Sequence, residues 1–294
     1  MARSALMNVM VAAVSKAGRS LTRDFNELEN LQVSVKGPAD FVSAADTKAE
    51  KTLREALHKA RPGYSFLMEE GGEIETGSEH RWIIDPLDGT TNFLHGMPLF
   101  AVSLALERRG ELIAGVIYNP ATEELFTAEK GRGAFVNDRR MRVGARHRLE
   151  DCLIATGIPA LNRRGHGASL FRQRDIMGKV AGMRATGSAA LNLAWTAAGR
   201  FDGYFEEGLQ PWDMAAGMLM VREAGGYVGE PEAHLSSYET GRLVAGNEPI
   251  YKELKSLASA SMPENLNAQQ PHIRRAAERA KAAAARDADD AEKV

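Results

Sequence analysis

The stretch WIIDPLDGTTNF, residues 82–93, delivers two carboxylates to the end of a core strand. Trp82, Ile83 and Ile84 are apolar and β-favouring, and read as the close of a strand inside a sheet. Asp85 and Asp88 follow at once, bracketing Pro86 and Leu87. Neighbouring carboxylates repel and resist ionising together. A shared proton, a cationic side-chain partner or a bound metal would resolve the conflict. The chain favours metal by supplying further oxygen donors. Glu69 and Glu70 end the preceding predicted strand, Asp213 opens a later helix, and the Pro86 kink can turn the Leu87 carbonyl inward. A site of carboxylate and carbonyl oxygens without Cys or His suits Mg²⁺, with Mn²⁺ as a substitute.

The next four residues, Gly-Thr-Thr-Asn, combine a tight turn with the backbone N–H groups of a starting helix, an anion-binding arrangement. Metals beside a phosphate-sized nest point to phosphoryl chemistry, in which paired ions ~3.5–4 Å apart clamp the attacking and leaving oxygens. The sequence contains no P-loop and no glycine-rich dinucleotide fingerprint. Hydrolysis of a phosphate ester fits best. Taken singly, Asp46 and Thr47 read as helix caps, as do Ser188 and Asp213, while Glu69 and Glu70 read as a solvated strand end. The metal reading rests on the set.

A chain of 294 residues can bury a large core, as one α/β unit or as two halves. A net charge of −2 gives no field for nucleic acid or an anionic membrane. The one cysteine, Cys152, excludes an intrachain disulfide, fits a reducing cytoplasm and reads as a core residue. Met7, Val11, Val14 and Leu21 recur at helical spacing, so the N-terminus reads as an amphipathic helix, and no stretch reaches the ~18 apolar residues of a membrane span.

A second helix is expected in DTKAEKTLREALHKARPG, capped by Asp46 or Thr47, with Thr47 and Glu50 at capping-box spacing. The runs FAVSLALE, LIAGVIYN, ELFTAEKG and GAFVN, separated by turn residues, predict an antiparallel meander. LIATGIP reads as a buried strand and RLVAGN as a last core strand. A helix from Ser188 to Ala198 and another from Asp213 to Gly225 complete the pattern. NDRRMRVGARHR reads as a solvated hairpin edge and His95 as a loop residue. Residues 263–294 are rich in alanine and mixed charge, have no apolar stripe to dock, and read as a mobile tail.

WIIDPLDGTTNF together with PWDMAAGMLMVREAGG closely resembles the two signatures of the inositol monophosphatase family. The likeness extends to residue 262 through ADFVSAAD, EE, GAFVN, ATGIP, TGSAALNLAW and GRFDGYFE, and is greatest to bacterial members of the inositol-1-monophosphatase or extragenic suppressor type. The resemblance implies an α/β (α+β) fold, a layered αβαβα sandwich of the sugar-phosphatase type spanning residues 1–262. It also implies a Mg²⁺-dependent, lithium-sensitive phosphatase with two or three ions, acting on a small phosphate ester, cytoplasmic and homodimeric. Carried over by motif, Glu69, Asp85, Asp88, Asp213 and the Leu87 carbonyl would bind metal. Glu70 and Thr90 would orient the attacking water, with Asp46 bonded to Thr90. The Gly89 and Thr90 amides would receive phosphate, and Gly187, Ser188, Ala189, Glu206 and Asp213 would meet substrate. Myo-inositol monophosphates lead, followed by histidinol phosphate, other sugar phosphates and nucleotide 3′-phosphates. Some bacterial relatives are binding factors for the transcription and ribosomal RNA machinery, a second role that the Arg139 to Arg148 surface or the tail could serve. One departure is Gly71-Gly72 after the glutamate pair, where many members have serine.

Overall fold

The computed structural model describes residues 3–28, 33–37, 40–159, 166–232 and 234–260. The predicted tail, 263–294, lies outside the described residues. Five layers, α/β/α/β/α, are readable from which side chains share a core.

The first layer pairs helix α1 (Ala5–Phe25) with α2 (Ala44–Ala60) on one face of an eight-stranded sheet. A short hairpin, β1 (Val33–Gly37) and β2 (Asp40–Ser43), connects the two helices. In α1, Met7, Val14 and Leu21 of the predicted stripe are buried together with Met10 and Ala17, whereas Val11 is half-buried at its edge. The large sheet comprises β3 (Ser65–Met68), β4 (Gly72–Ile74), β5 (His80–Asp88), β6 (Ala101–Arg108), β7 (Glu111–Asn119), β8 (Glu124–Glu129), β9 (Gly133–Val136) and β10 (Arg139–Arg140). Its order is β10-β9-β8-β7-β6-β5-β3-β4, and all pairs are antiparallel except β3 with β5. The predicted meander is β6 to β9. In β5 the period of two sends Trp82 and Ile84 toward α1 and α2, and Ile83 to the opposite face. That strand does not stop at Ile84 as the sequence suggested. It runs through Asp88, with a register irregularity between Asp85 and Asp88 that absorbs Pro86, which has no amide hydrogen for the ladder.

The second sheet has order β12-β11-β13-β15-β14, from β11 (Leu153–Thr156), β12 (Gly182–Ala185), β13 (Gly203–Glu206), β14 (Tyr227–Gly229) and β15 (Leu243–Gly246). Helices α5 (Ala189–Ala197) and α6 (Pro211–Glu223) fill the space between the sheets. Ala155, Tyr204 and Ala245 face that middle layer, whereas Ile154, Phe205 and Val244 face the outer layer of α4 (His166–Met177) and α8 (Glu248–Ala258). Cys152 is buried in the outer core, as expected. Among the described residues no helix is long and apolar enough to cross a membrane.

Two helix starts differ from expectation. Helix α2 is capped by Ser43, and its reciprocal capping partner is Asp46, not the pair Thr47 and Glu50. Ala44 and Ala45 extend the helix one turn earlier because Ser43 satisfies the first amides at once. Helix α6 begins at Pro211, with Gln210 as its cap and Asp213 as the third helical residue bonded back to it. Proline at the first position needs no amide partner, which moves the start ahead of Asp213.

Helices α5 and α6 approach so closely that a Cβ on Gly217 would lie 2.4 Å from the Cβ of Leu193. A Cβ cannot rotate away. Gly217→Ala is therefore expected to destabilise the fold by about 1–3 kcal/mol, although alanine is the better helix former. The urea midpoint of the variant checks this.

Candidate active site

Four carboxylates reach one end of β5 by three different routes. Asp85 and Asp88 belong to β5 itself, on either side of its bulge. Glu69 follows β3, the parallel neighbour of β5, and its amide donates to Ile84 O at 3.2 Å, continuing the ladder one residue beyond Met68. Asp213 arrives on the first turn of α6. That turn is tied to the large sheet by Ser103, which pairs across the ladder with Asp85 and donates to Trp212 O at 3.2 Å.

The electrostatic consequence is severe for Asp85, which is 1% exposed. Burial, followed by Glu69, Asp88 and Asp213, raises its pKa well above the ordinary carboxylate range. Burial also raises Asp88, against the Ser188 hydroxyl and the Ala190 amide, which stabilise its charged form. Both groups donate to Asp88 Oδ2, the amide at 2.8 Å, so the carboxylate sits on the N-terminal turn of α5. Backbone donors hold the others in part. Asp85 Oδ1 accepts from Leu87 N at 2.9 Å and Asp213 Oδ2 from Gln210 N at 2.7 Å. Among the described residues no three acidic, histidine or cysteine side chains are gathered closely enough to hold a metal as they stand. The set nevertheless fits a hard divalent cation in its chemistry, because the charged groups that most disturb Asp85 are all carboxylates.

Beside the carboxylates, Gly89 caps the short helix α3 (Thr90–Leu94) with φ of 89°. No side chain fits there, since a Cβ would lie 2.8 Å from Leu99 O. Thr90 Oγ1 is 3.1 Å from Asp46 Oδ1 and 3.0 Å from Leu87 O. One hydroxyl proton serves one of these acceptors at a time. Asp46 is fully buried and its pKa is raised, burial outweighing the bonds from Ser43 and Thr90. It therefore caps α2 and holds Thr90 together. Glu69 and Glu70 stand at the end of β3 as expected, and with Gly71 they make the turn into β4.

Of the predicted substrate contacts other than Gly89 and Thr90, Asp213 lies on α6 and the rest lie at the start of α5 and on the second sheet, with Gly187 in the loop between β12 and α5. Ser188 caps α5 and Ala189 is its first residue. Glu206 ends β13, and Tyr204, two residues earlier and fully buried, donates to its Oε2 at 2.7 Å. His95 sits at the end of α3, where its ring meets Thr91 O. Two side chains that brace the site were not singled out by sequence reasoning. Asn92 Nδ2 donates to Leu99 O at 2.7 Å and to Thr186 O at 2.8 Å, locking the Gly89 turn to the loop that carries Gly187. Tyr204 is the other. Both stand in the quoted motifs: strand spacing puts Tyr204 and Glu206 on one face of β13, whereas the partners of Asn92 are visible only in the fold.

The model of the inositol monophosphatase family matches residues 2–266. An inositol-1-monophosphatase of Rhizobium meliloti is 60% identical over 264 residues, covering 90% of this chain and 99% of that protein. A protein named Nus factor SuhB, from Pseudomonas aeruginosa, is 41% identical, covering 89% and 98%. The crystal structure of extragenic suppressor protein suhB from Bartonella henselae superposes with a TM-score of 0.84 at 58% identity, covering 88% of this chain and 100% of that one. An inositol monophosphatase from Anabaena gives 0.78 at 35% identity, covering 88% and 96%. The chain belongs to the inositol monophosphatase family, a family of metal-dependent phosphatases.

Proposed function

We propose that the chain hydrolyses myo-inositol monophosphates to inositol and phosphate, with Mg²⁺ held by Glu69, Asp85, Asp88, Asp213 and the Leu87 carbonyl. The observation that carries this reading is the buried Asp85, crowded by three carboxylates at the mouth of the Gly89 turn. A bound divalent cation lowers the pKa of its water and neutralises charge on the oxygens exchanged at phosphorus. The protein's own groups do the rest. The Gly89 and Thr90 amides receive the phosphate. Thr90, with its proton directed to Asp46, offers its oxygen lone pairs to the attacking water, and Glu70 orients that water in line. Gly187, Ser188 and Ala189 border the alcohol, and Glu206 accepts from its hydroxyls. Residues 1–262 act as one catalytic unit, cytoplasmic and homodimeric.

Phosphate release from inositol-1-phosphate, histidinol phosphate, fructose-1,6-bisphosphate and a nucleotide 3′-phosphate tests the reading. Inositol-1-phosphate is expected to turn over fastest, with inhibition by lithium and loss on chelation that added Mg²⁺ restores. Asp88→Asn should lower kcat/KM at least about a hundredfold. Equal rates with and without chelator would rule the mechanism out.

Tyr204 gives a finer test. Without its hydroxyl the Glu206 carboxylate loses one of the contacts that orient it, so Tyr204→Phe should raise KM for inositol-1-phosphate about three- to tenfold and leave kcat nearly unchanged. An unaltered KM would remove Glu206 from substrate recognition.

The likeness to Nus factor SuhB favours a second, non-catalytic role with the transcription machinery. Arg139, Arg140, Arg142, Arg146 and Arg148 are exposed and offer a basic surface for it. Asp85→Asn protein that loses hydrolysis but retains those partners in a pull-down would show the roles to be separable; loss of both together would contradict that.

A further inference from the structure

Helix α2 turns two carboxylates inward, Asp46 and Glu50, on a face otherwise made of Ala45, Ala49, Leu53 and Leu57. Like charges at i and i+4 disfavour a helix, and burial adds to the cost. Packing alone would be served by leucine. Asp46 has its explanation in Ser43 and Thr90. Glu50 was expected to close a capping box with Thr47, and Ser43 with Asp46 does that instead.

Glu50 points across to the glutamate turn. It is 7% exposed, and its Oε2 accepts a hydrogen bond from the Glu70 amide at 2.9 Å. The following residue lies against the same carboxylate: a Cβ on Gly71 would come within 2.8 Å of Glu50 Oε1. Glycine at this position lets the backbone lie close to Glu50. The turn leads into β4, which is exposed along its length and forms the edge of the sheet.

We propose that Glu50 is a positioning residue that fixes the Glu69–Glu70–Gly71 turn relative to Thr90. One rigid helix then holds both groups assigned to the attacking water. Asp46 takes the Thr90 hydroxyl, and Glu50, one turn and about 6 Å along the axis, takes the Glu70 backbone. The role of Glu50 is that of a hydrogen-bond acceptor at a set place. Glutamine retains an acceptor oxygen, whereas leucine fills the space and accepts nothing. The inference rests on the reading of Glu70 as a water-orienting residue.

The test compares Glu50→Gln, Glu50→Leu and Glu70→Gln in the full chain. In metal-free protein, amide hydrogen exchange over residues 69–72 should accelerate about tenfold or more in Glu50→Leu, with Glu50→Gln close to the parent. With Mg²⁺ and inositol-1-phosphate, Glu50→Leu should lose about tenfold or more in kcat at nearly constant KM, and Glu50→Gln should recover most of that loss. Unchanged exchange at the turn in Glu50→Leu would overturn the proposal, as would equal kcat losses in the two Glu50 variants. A purely structural role would lower the melting temperature and leave kcat per folded molecule intact. If Glu50→Leu fails to fold, Glu50→Ala is read against the same criteria. Full activity in Glu70→Gln would refute the assignment of Glu70, while the exchange result would still decide the claim about Glu50.

Discussion

Negative charge that the fold cannot dilute is the constraint on which this structure turns. Asp85 is buried where β5 bulges, and Glu69, Asp88 and Asp213 all act on it. Water does not screen such a group, and the carboxylates resist ionising together. A core built for stability alone would place apolar side chains at the end of Trp82-Ile83-Ile84. The chain instead spends two helix N-termini near the cluster, with Asp88 seated on α5 and Asp213 on α6. Those helix ends partly offset the charge and orient the carboxylates, and a divalent cation would complete the balance.

The layered architecture serves that meeting point. Asp85 and Glu69 come from adjacent parallel strands of the large sheet, Asp213 from the middle helix layer, and Glu206 from the second sheet. Elements from three layers thus share one site, and hydrogen bonds run between several of them. Ser103 ties β6 to α6, Ala190 ties α5 to β5, and Asn92 ties α3 to the loop before α5. Such cross-layer bonds give the precision that positioning catalysis demands.

Much of this was legible because it is written in local periodicity. The apolar run of β5, the meander from β6 to β9 and the apolar stripe of α1 all follow from neighbours a few residues apart. The α8 pattern was equally available, with Asn247 as cap and Ile250, Leu254 and Ala258 buried at spacing four, yet it was not read. Caps were misplaced by one turn, since Ser43 competes with Asp46 and Thr47 for the start of α2, and Pro211 advances α6. What local pattern could not show was the partner of each polar side chain. Glu50 meets a residue 20 positions away, and Asn92 one 94 positions away. Only the closed fold decides such pairs.

The most direct test of the central claim is a calorimetric titration of the metal-free protein with Mg²⁺, beside Asp85→Asn. The account predicts saturable binding, weakened at least about tenfold by removal of that one carboxylate. A protein that takes up no Mg²⁺ at millimolar concentration, or one indifferent to the loss of Asp85, would contradict it.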